Sequence, residues 1–402
     1  MKIKLPDPNR PALISINILI WHITVLRGRR PFGFWELRSC KPERSWAQIL
    51  IAVLVLAISA CQLAGSERPT PGKIELPPTT PALEIPGNWY AVYFSDPTNP
   101  SSKSLRGGPD KYLAEAIDEA RVSVDVAVLQ LNLWSIRDAL LHAHQRGVRV
   151  RLVTESDYLD EKEIGQLSQA GIAVLGDRRE GLMHNKFAVI DRQEVWTGSM
   201  NFSVNEAYRN NNNLIHIRSA QLAENYTAEF EEMFVGDQFG PGSPANTPNP
   251  TIQIGETRLQ SCFSPEDGCT AQLLKVIQNA KQSIYFLAYS FTSDELANAL
   301  IERFQQGVKI EGVMERSQRE SNSGGEYDRL RSAGVNVRLD TNPNQMHDKV
   351  MIIDSQIVVT GSFNYTYSAE NYNDENLLVI YNPQIAELYL AEFERIFNQA
   401  SK

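Results

Sequence analysis

Two rhythms alternate between residues 110 and 400. Apolar positions three and four apart predict amphipathic helices over Asp110–Ala120 and Ala271–Ala280. Each leads into a short apolar strand, within EARVSVDVAVLQLN (119–132) and NAKQSIYFLAYSFT (279–292). A helix follows and stops at Gly147 or Gly307, where glycine is the usual terminator. A second strand comes next, VRVRLVTE or VKIEGVME, then another helix, a third strand and a strand pair. Strands and helices in this alternation predict an α/β sheet with both faces covered.

The pattern occurs twice. Gln145–Arg149 resembles Gln305–Lys309 at an offset of 160, and Ala170-Gly171-Ile172 resembles Ala333-Gly334-Val335 at 163. The three additional residues fall in the loop containing Ser321–Gly325, after which the offset of 163 holds to the end. The predicted organisation is therefore two repeated α/β sandwich domains, 89–236 and 253–402, joined by a linker at 237–252. Two copies of one domain are expected to meet across a pseudo-twofold interface.

Ahead of the repeats, 47–60 reads AQILIAVLVLAISA, uncharged and preceded by Lys41 and Arg44. It is short for a membrane span but has the length of a signal-peptide apolar region. Ile58-Ser59-Ala60-Cys61 resembles a bacterial lipobox, making Cys61 the expected lipidation site; an ordinary cleaved signal and an anchor helix are the alternatives. Residues 1–64 are thus read as a targeting segment, although a second apolar stretch at 13–26 lies unusually far upstream. The proline-rich 65–88 reads as an extended tether.

Charge is unevenly spread. Residues 1–60 hold nine basic and three acidic side chains, so with the whole chain at −9 the remainder stands at −15. An acidic body weighs against a nucleic-acid substrate, because phosphate neutralisation favours a basic face. Cys262 and Cys269, in CFSPEDGC, are expected to pair as a local disulfide in an exported protein, with free thiols as the alternative.

Candidate chemistry sits on the strand pair. The first copy reads His184-Asn185-Lys186 and Asp191, then Thr197-Gly198-Ser199-Met200-Asn201; the second reads His347-Asp348-Lys349 and Asp354, then Thr360-Gly361-Ser362-Phe363-Asn364. Both are HxKxxxxD followed by TGSxN at one spacing. Residues two apart share a strand face, so each histidine points with its lysine while Asp191 and Asp354 anchor the motif from behind. Ser199 with Asn201, and Ser362 with Asn364, are expected to bring hydroxyl and amide donors beside the His–Lys pairs. Such a set suits a phosphodiester. Lysines and amides stabilise the charge that grows on phosphorus oxygens, one imidazole attacks, and the other protonates the leaving oxygen and then activates water. His142, His144 and His216 lack such partners and are read as incidental; Trp134 and Trp196 are read as packing residues.

Duplicated within an internal repeat, this signature resembles that of the phospholipase D superfamily over roughly 89–400. The resemblance implies an active site at the interface of the two repeats, a phosphohistidine intermediate, no catalytic metal and no cofactor. It implies His184 as nucleophile and His347 as general acid/base. Family members also carry a downstream acidic residue that orients a catalytic imidazole. Glu375, 28 residues after His347, fits, but the first copy has Asn212 at that spacing, so the two histidines are expected to be tuned differently.

The function expected is phosphodiester hydrolysis of phospholipid by an exported, membrane-anchored lipoprotein needing no obligate protein partner. A nuclease using the same chemistry, a cardiolipin synthase-like transphosphatidylase and an inactive binding module are the alternatives.

Overall fold

The computed structural model describes residues 89–321 and 324–401; the expected targeting segment, Cys61 and the tether lie outside them. In the first repeat, β1 (Tyr90–Phe94), β2 (Ser123–Val128), β3 (Arg149–Thr154), β4 (Ala173–Gly176), β5 (Lys186–Ile190), β6 (Glu194–Gly198) and β7 (Asn213–Arg218) form one sheet. Its order is β1-β7-β6-β5-β2-β3-β4. In the second, β8 (Thr251–Ile254), β9 (Thr257–Ser264), β10 (Ser283–Ala288), β11 (Lys309–Met314), β12 (Asn336–Leu339), β13 (Lys349–Ile353), β14 (Ile357–Gly361) and β15 (Glu375–Tyr381) form another. That order is β12-β11-β10-β13-β14-β15-β9-β8. Apart from β8, one sheet repeats the other strand for strand.

Each sheet is mixed. Strands joined by crossover helices run parallel, β2 with β3 and β3 with β4, and β10 with β11 and β11 with β12. The motif strands pair antiparallel, β2–β5–β6–β7 and β10–β13–β14–β15. The change of offset is visible where the helix Arg316–Ser321 occupies the place of a single 3₁₀ turn, Ser156–Tyr158.

Boundaries differ from expectation at three elements. The first helix ends at Glu119. The helix expected from Ala271 begins at Cys269, after Gly268 turns the chain at φ +69°. Cys269 is disulfide-bonded to Cys262 of β9, with the Cα atoms 5.7 Å apart. Thr251 and Ile252, counted with the linker, belong to β8, because Ile252 pairs with Leu259 and packs in the core.

Alternation along β5 decides which layer each side chain joins. Ala188 and Ile190 face an outer layer made with Leu113, Ile117, Ile136 and Leu140 of helices Asp110–Glu119 and Trp134–Gln145. Phe187 and Val189 face inward, as do Val350 and Ile352 of β13. Between the sheets lie helices Ala220–Phe234 and Pro383–Gln399, whose Tyr226, Phe230, Tyr389 and Phe393 complete one core common to both repeats. At roughly 1.5–3 kcal/mol for each large side chain buried, separating the repeats is costly. The interface is therefore a rigid base for a shared site.

The two inner helices differ in how a shared glutamate is paired. Glu392 is paired by Arg395, at 2.6 and 2.8 Å. In the first repeat the corresponding residues are Glu229 and Glu232, and their ligand atoms lie within 4.8 Å of one another and of Glu266. Burial, with the neighbouring carboxylates, raises Glu232 to about 7, Glu266 to about 8, and Glu229 well above its ordinary value. Acids raised on folding stabilise the fold below their unfolded pKa of about 4.5, and lose that contribution as pH rises through 7–8. Urea unfolding should therefore show stability falling from pH 5 to 9, and Glu232→Gln should recover about 1 kcal/mol at pH 8 and little at pH 5. An equal effect at both pH values would show that the charge is not the cause.

Candidate active site

The site forms where the start of each motif strand meets the opposite repeat. His184 N–H donates to Asp374 O at 3.0 Å, and His347 N–H donates to Asn211 O at 2.9 Å. These reciprocal contacts are the pseudo-twofold relation in hydrogen-bond form. Ahead of each histidine a carboxylate fixes the main chain: Glu155 Oε2 accepts from Met183 N–H at 3.0 Å, and Glu315 Oε2 from Met346 N–H at 2.7 Å.

The imidazoles are oriented across the interface. His184 Nδ1 lies 2.6 Å from Glu375 Oε2. His347 Nδ1 lies 3.1 Å from Asn212 Oδ1 and 3.2 Å from Glu206 Oε2. Glu375 thus serves the histidine of the other repeat. In both cases Nδ1–H donates to an acceptor, which leaves Nε2 with the lone pair that attacks or moves a proton. Burial, reinforced by the nearby lysines, lowers both imidazoles, His347 to about 4, while Glu375 and Glu206 pull the other way; a phosphodiester anion in the site favours the imidazolium that a proton donor needs.

Lys186 and Lys349 are buried beside them, and each Nζ donates to the carbonyl of its own histidine, at 2.7 and 2.6 Å. Burial pushes Lys186 down to about 7 and Lys349 to about 8, against the opposing pull of Glu375 and Glu206. A phosphodiester anion among them favours the charged ammonium. Lys349 also stands 4.8 Å from the Tyr289 ring, which packs edge-on against His347. Asn201 and Asn364 contribute at matching positions. Each is at least partly buried with its Oδ1 unpartnered; Asn201 Nδ2 gives one hydrogen to Glu206 Oε1 at 3.2 Å, and the remaining Nδ2 hydrogens are the donors these amides can offer a phosphodiester oxygen.

One expectation about the motif needs correction. Ser199 and Ser362 are fully buried, and their hydroxyls are engaged within the protein rather than offered to substrate: Ser199 Oγ donates to Asn212 Oδ1 at 2.8 Å. Their Oγ atoms accept the main-chain N–H of Asn213 and Asn376, at 3.1 and 2.9 Å. The cause is the tight approach of the TGSxN turn to the next strand. A Cβ on Gly361 would stand 2.2 Å from Asn376 O, and one on Gly198 2.3 Å from Asn213 O. Asp191 and Asp354, expected to anchor the motif, lie at the far ends of β5 and β13, five residues or about 16 Å of strand beyond the lysines. There they accept the amides of Arg121–Ser123 and of Lys281–Ser283. They anchor the motif and touch no reacting atom. Among the other residues read from sequence, His142 and His144 lie on a helix, and His216 is on β7 bonded to Glu194. Trp196 is packed between Tyr93 and His216, whereas Trp134, expected to be packed, is exposed.

A polar network missed in the sequence locks the two halves together. Asn376 Oδ1 accepts from Thr197 and Tyr226 of the first repeat, at 2.8 and 3.3 Å. Asn213 Oδ1 accepts from Thr360 and Tyr389 of the second, at 2.7 and 3.1 Å. Asn376 also donates to Asn185, and Asn213 to Asp348, which puts the middle residue of each HxK under the other repeat's control. The available signal was the repeat itself, since these residues match at the offset of 163.

The description "Cardiolipin synthase, PLD-like domain" belongs to the family model that matches residues 113–234 and again 273–397. A phospholipase D from Rickettsia prowazekii (strain Madrid E) is 37% identical over 138 residues, covering 34% of this chain and 67% of that protein. A mitochondrial cardiolipin hydrolase from Homo sapiens is 36% identical over 131 residues, covering 32% of this chain and 51% of that one. Among solved structures, phosphatidylserine synthase from Haemophilus influenzae Rd KW20 aligns with a TM-score of 0.57 at 15% identity, over 77% of this chain and 86% of that one. The likeness there is of fold, and it spans both repeats. Nuc from Salmonella typhimurium, a phospholipase D family member, is 35% identical over 36% of this chain and 97% of its own, with a TM-score of 0.35.

Proposed function

The chain belongs to the phospholipase D superfamily and is a phosphodiesterase of that kind, and on this premise we propose that it hydrolyses membrane phospholipid, with His184 and His347 as its catalytic pair. His184 Nε2 attacks phosphorus and forms an N–P bond. The P–O bond to the leaving alcohol breaks, and that oxygen takes a proton from His347. Water then gives a proton to His347 and attacks phosphorus, breaking the N–P bond and restoring His184. Lys186, Lys349, Asn201 and Asn364 offset the charge on the equatorial oxygens.

The observation that carries the choice of phospholipid is the apolar rim. Val128 of β2 pairs with Lys186, so the loops after β2 and β3 open at the same end of the sheet as the motif. Of nine exposed large apolar side chains among the described residues, five stand on loops or at the starts of helices at that end: Trp134, Leu159, Leu182, Tyr367 and Tyr372. Three of them are joined across the repeats, since Leu182 N–H donates to Asn373, beside Tyr372, and Tyr367 packs on Tyr372 with ring centroids 5.8 Å apart. Exposed tryptophan, tyrosine and leucine at the end of the sheets that carries the motif suit a lipid–water interface. An acidic body supports the same reading, since it repels a polyanionic nucleic acid.

The same proposal has the chain exported and held at a membrane through Cys61. The run at 47–60 and Ile58–Cys61 support it, and the Cys262–Cys269 disulfide suits an oxidising compartment. Among the described residues no helix is long and apolar enough to cross a membrane. The test is a paired assay of the full chain, following headgroup release from phosphatidylcholine and cardiolipin vesicles beside cleavage of single- and double-stranded DNA. Headgroup release that disappears in His184→Ala is the expected result. DNA cleavage without headgroup release, lost in the same variant, would replace phospholipid by nucleic acid.

A further inference from the structure

The two repeats do not hold their partner histidines in the same way, and the difference is a displaced carboxylate. At the start of β15 stands Glu375, with its carboxylate 2.6 Å from His184. The matching position before β7 is Asn212, an amide, 3.1 Å from His347. Six residues ahead of these positions the inequality is reversed. The second repeat has Ala369, and the first has Glu206, in the equivalent short helices Tyr367–Asn371 and Val204–Tyr208. Glu206 is buried, and its Oε2 lies 3.2 Å from His347 Nδ1. Each imidazole thus faces one carboxylate, but from a different element.

We propose that Glu206 is the positioning residue for His347, standing in for the carboxylate that the strand position lacks. This rests on the reading of His347 as one of the catalytic pair. Asn212 acts as the bridge: its Nδ2 donates to Glu206 Oε2 at 2.5 Å while its Oδ1 faces the imidazole. Asn201 donates to the other carboxylate oxygen at 3.2 Å. Glu206 is therefore linked both to the histidine and to the Asn201 amide, a connection that Asn364 lacks because Ala369 stands at the position matching Glu206. The groups facing His347 are Glu206 and Asn212 from the first repeat and Tyr289 and Lys349 from the second. Two of these are charged, and only Glu206 favours the imidazolium. Lys349 opposes it, as does Lys186.

Glu206→Gln keeps the shape and removes the charge. Turnover should fall roughly 10- to 100-fold, and the limb of the pH–rate profile that reports the His347 imidazolium should move to lower pH, because an amide stabilises that cation less. Returning the carboxylate to the strand, in the double variant Glu206→Ala with Asn212→Glu, should recover most of the activity lost in Glu206→Ala. A structural residue would produce neither the shifted limb nor the recovery. An unmoved limb with native turnover in Glu206→Gln overturns the assignment. So does a double variant that melts like the native protein and is no more active than Glu206→Ala. Failure of the underlying reading looks different, since His347→Ala would then itself be active.

Discussion

His184→Ala is expected to lower turnover by at least about 10³-fold while the protein remains folded, because no neighbouring side chain can supply the nucleophilic nitrogen. The melting temperature should drop by several degrees, since Glu375 loses the partner of a 2.6 Å hydrogen bond inside the interface and is left buried with only the 3.4 Å contact to Asn373. Circular dichroism and the melt therefore belong beside the rate. His347→Ala should be as inactive toward a phosphodiester with an alkoxide leaving group, because the first step then lacks its acid. The variants should separate on a p-nitrophenyl phosphodiester, whose leaving group needs no proton. There His347→Ala should release one equivalent of p-nitrophenolate and stall with the phosphoryl group on His184, and His184→Ala should release none. Stalling in the opposite variant would exchange the two roles. Turnover of more than a few per cent in either would remove that histidine from the mechanism.

Assigning distinct roles matters because the site is symmetrical in its motif and unsymmetrical in its surroundings. His184 and His347 have the same lysine, the same asparagine and the same main-chain contact to the opposite repeat. They differ in what faces Nδ1 and in the neighbour contributed by the first strand of each repeat's parallel set. Tyr289 packs on His347, and the matching residue in the other copy is Leu129. The nucleophile must be deprotonated and the acid protonated at the same pH. Two identical environments would not serve both states.

The duplicated motif was legible because its spacing is local and its repetition independent. HxKxxxxD and TGSxN each occupy one hairpin, and two copies at one offset specify both the fold and the meeting of the copies. Strand alternation also told which residues share a face: Phe187 and Val189 do pack together, away from Ala188 and Ile190. It did not tell which face looks across the interface, because both faces of a central strand are apolar. Ser199 and Ser362 were misplaced for a related reason. A serine two residues before an asparagine suggests a common direction, but the backbone leaves strand geometry at the intervening turn, and the hydroxyls fold back onto Asn213 and Asn376. Glu206 was not legible at all. It sits on a helix of five residues, too short to show a period, and its partner is 141 positions away. The missing acid at position 212 was the only trace it left.

The apolar rim yields the sharper test of substrate. Replacing Trp134, Tyr367 and Tyr372 together by serine should reduce hydrolysis of phospholipid in vesicles roughly 100-fold. A soluble p-nitrophenyl phosphodiester should be hydrolysed within about twofold of the native rate. All three side chains are exposed, so the fold loses little when they are removed. At about 25 cal/mol for each Å² of apolar surface taken from water, each inserted ring contributes on the order of 1 kcal/mol to adsorption, and three supply about two powers of ten. The loss should appear in the dependence on vesicle concentration, and saturating lipid should recover much of it. Equal loss on both substrates would place these rings in the active site itself. No loss on either would mean that the phosphodiester arrives without insertion into a bilayer, and the choice of phospholipid would lose the observation that carries it.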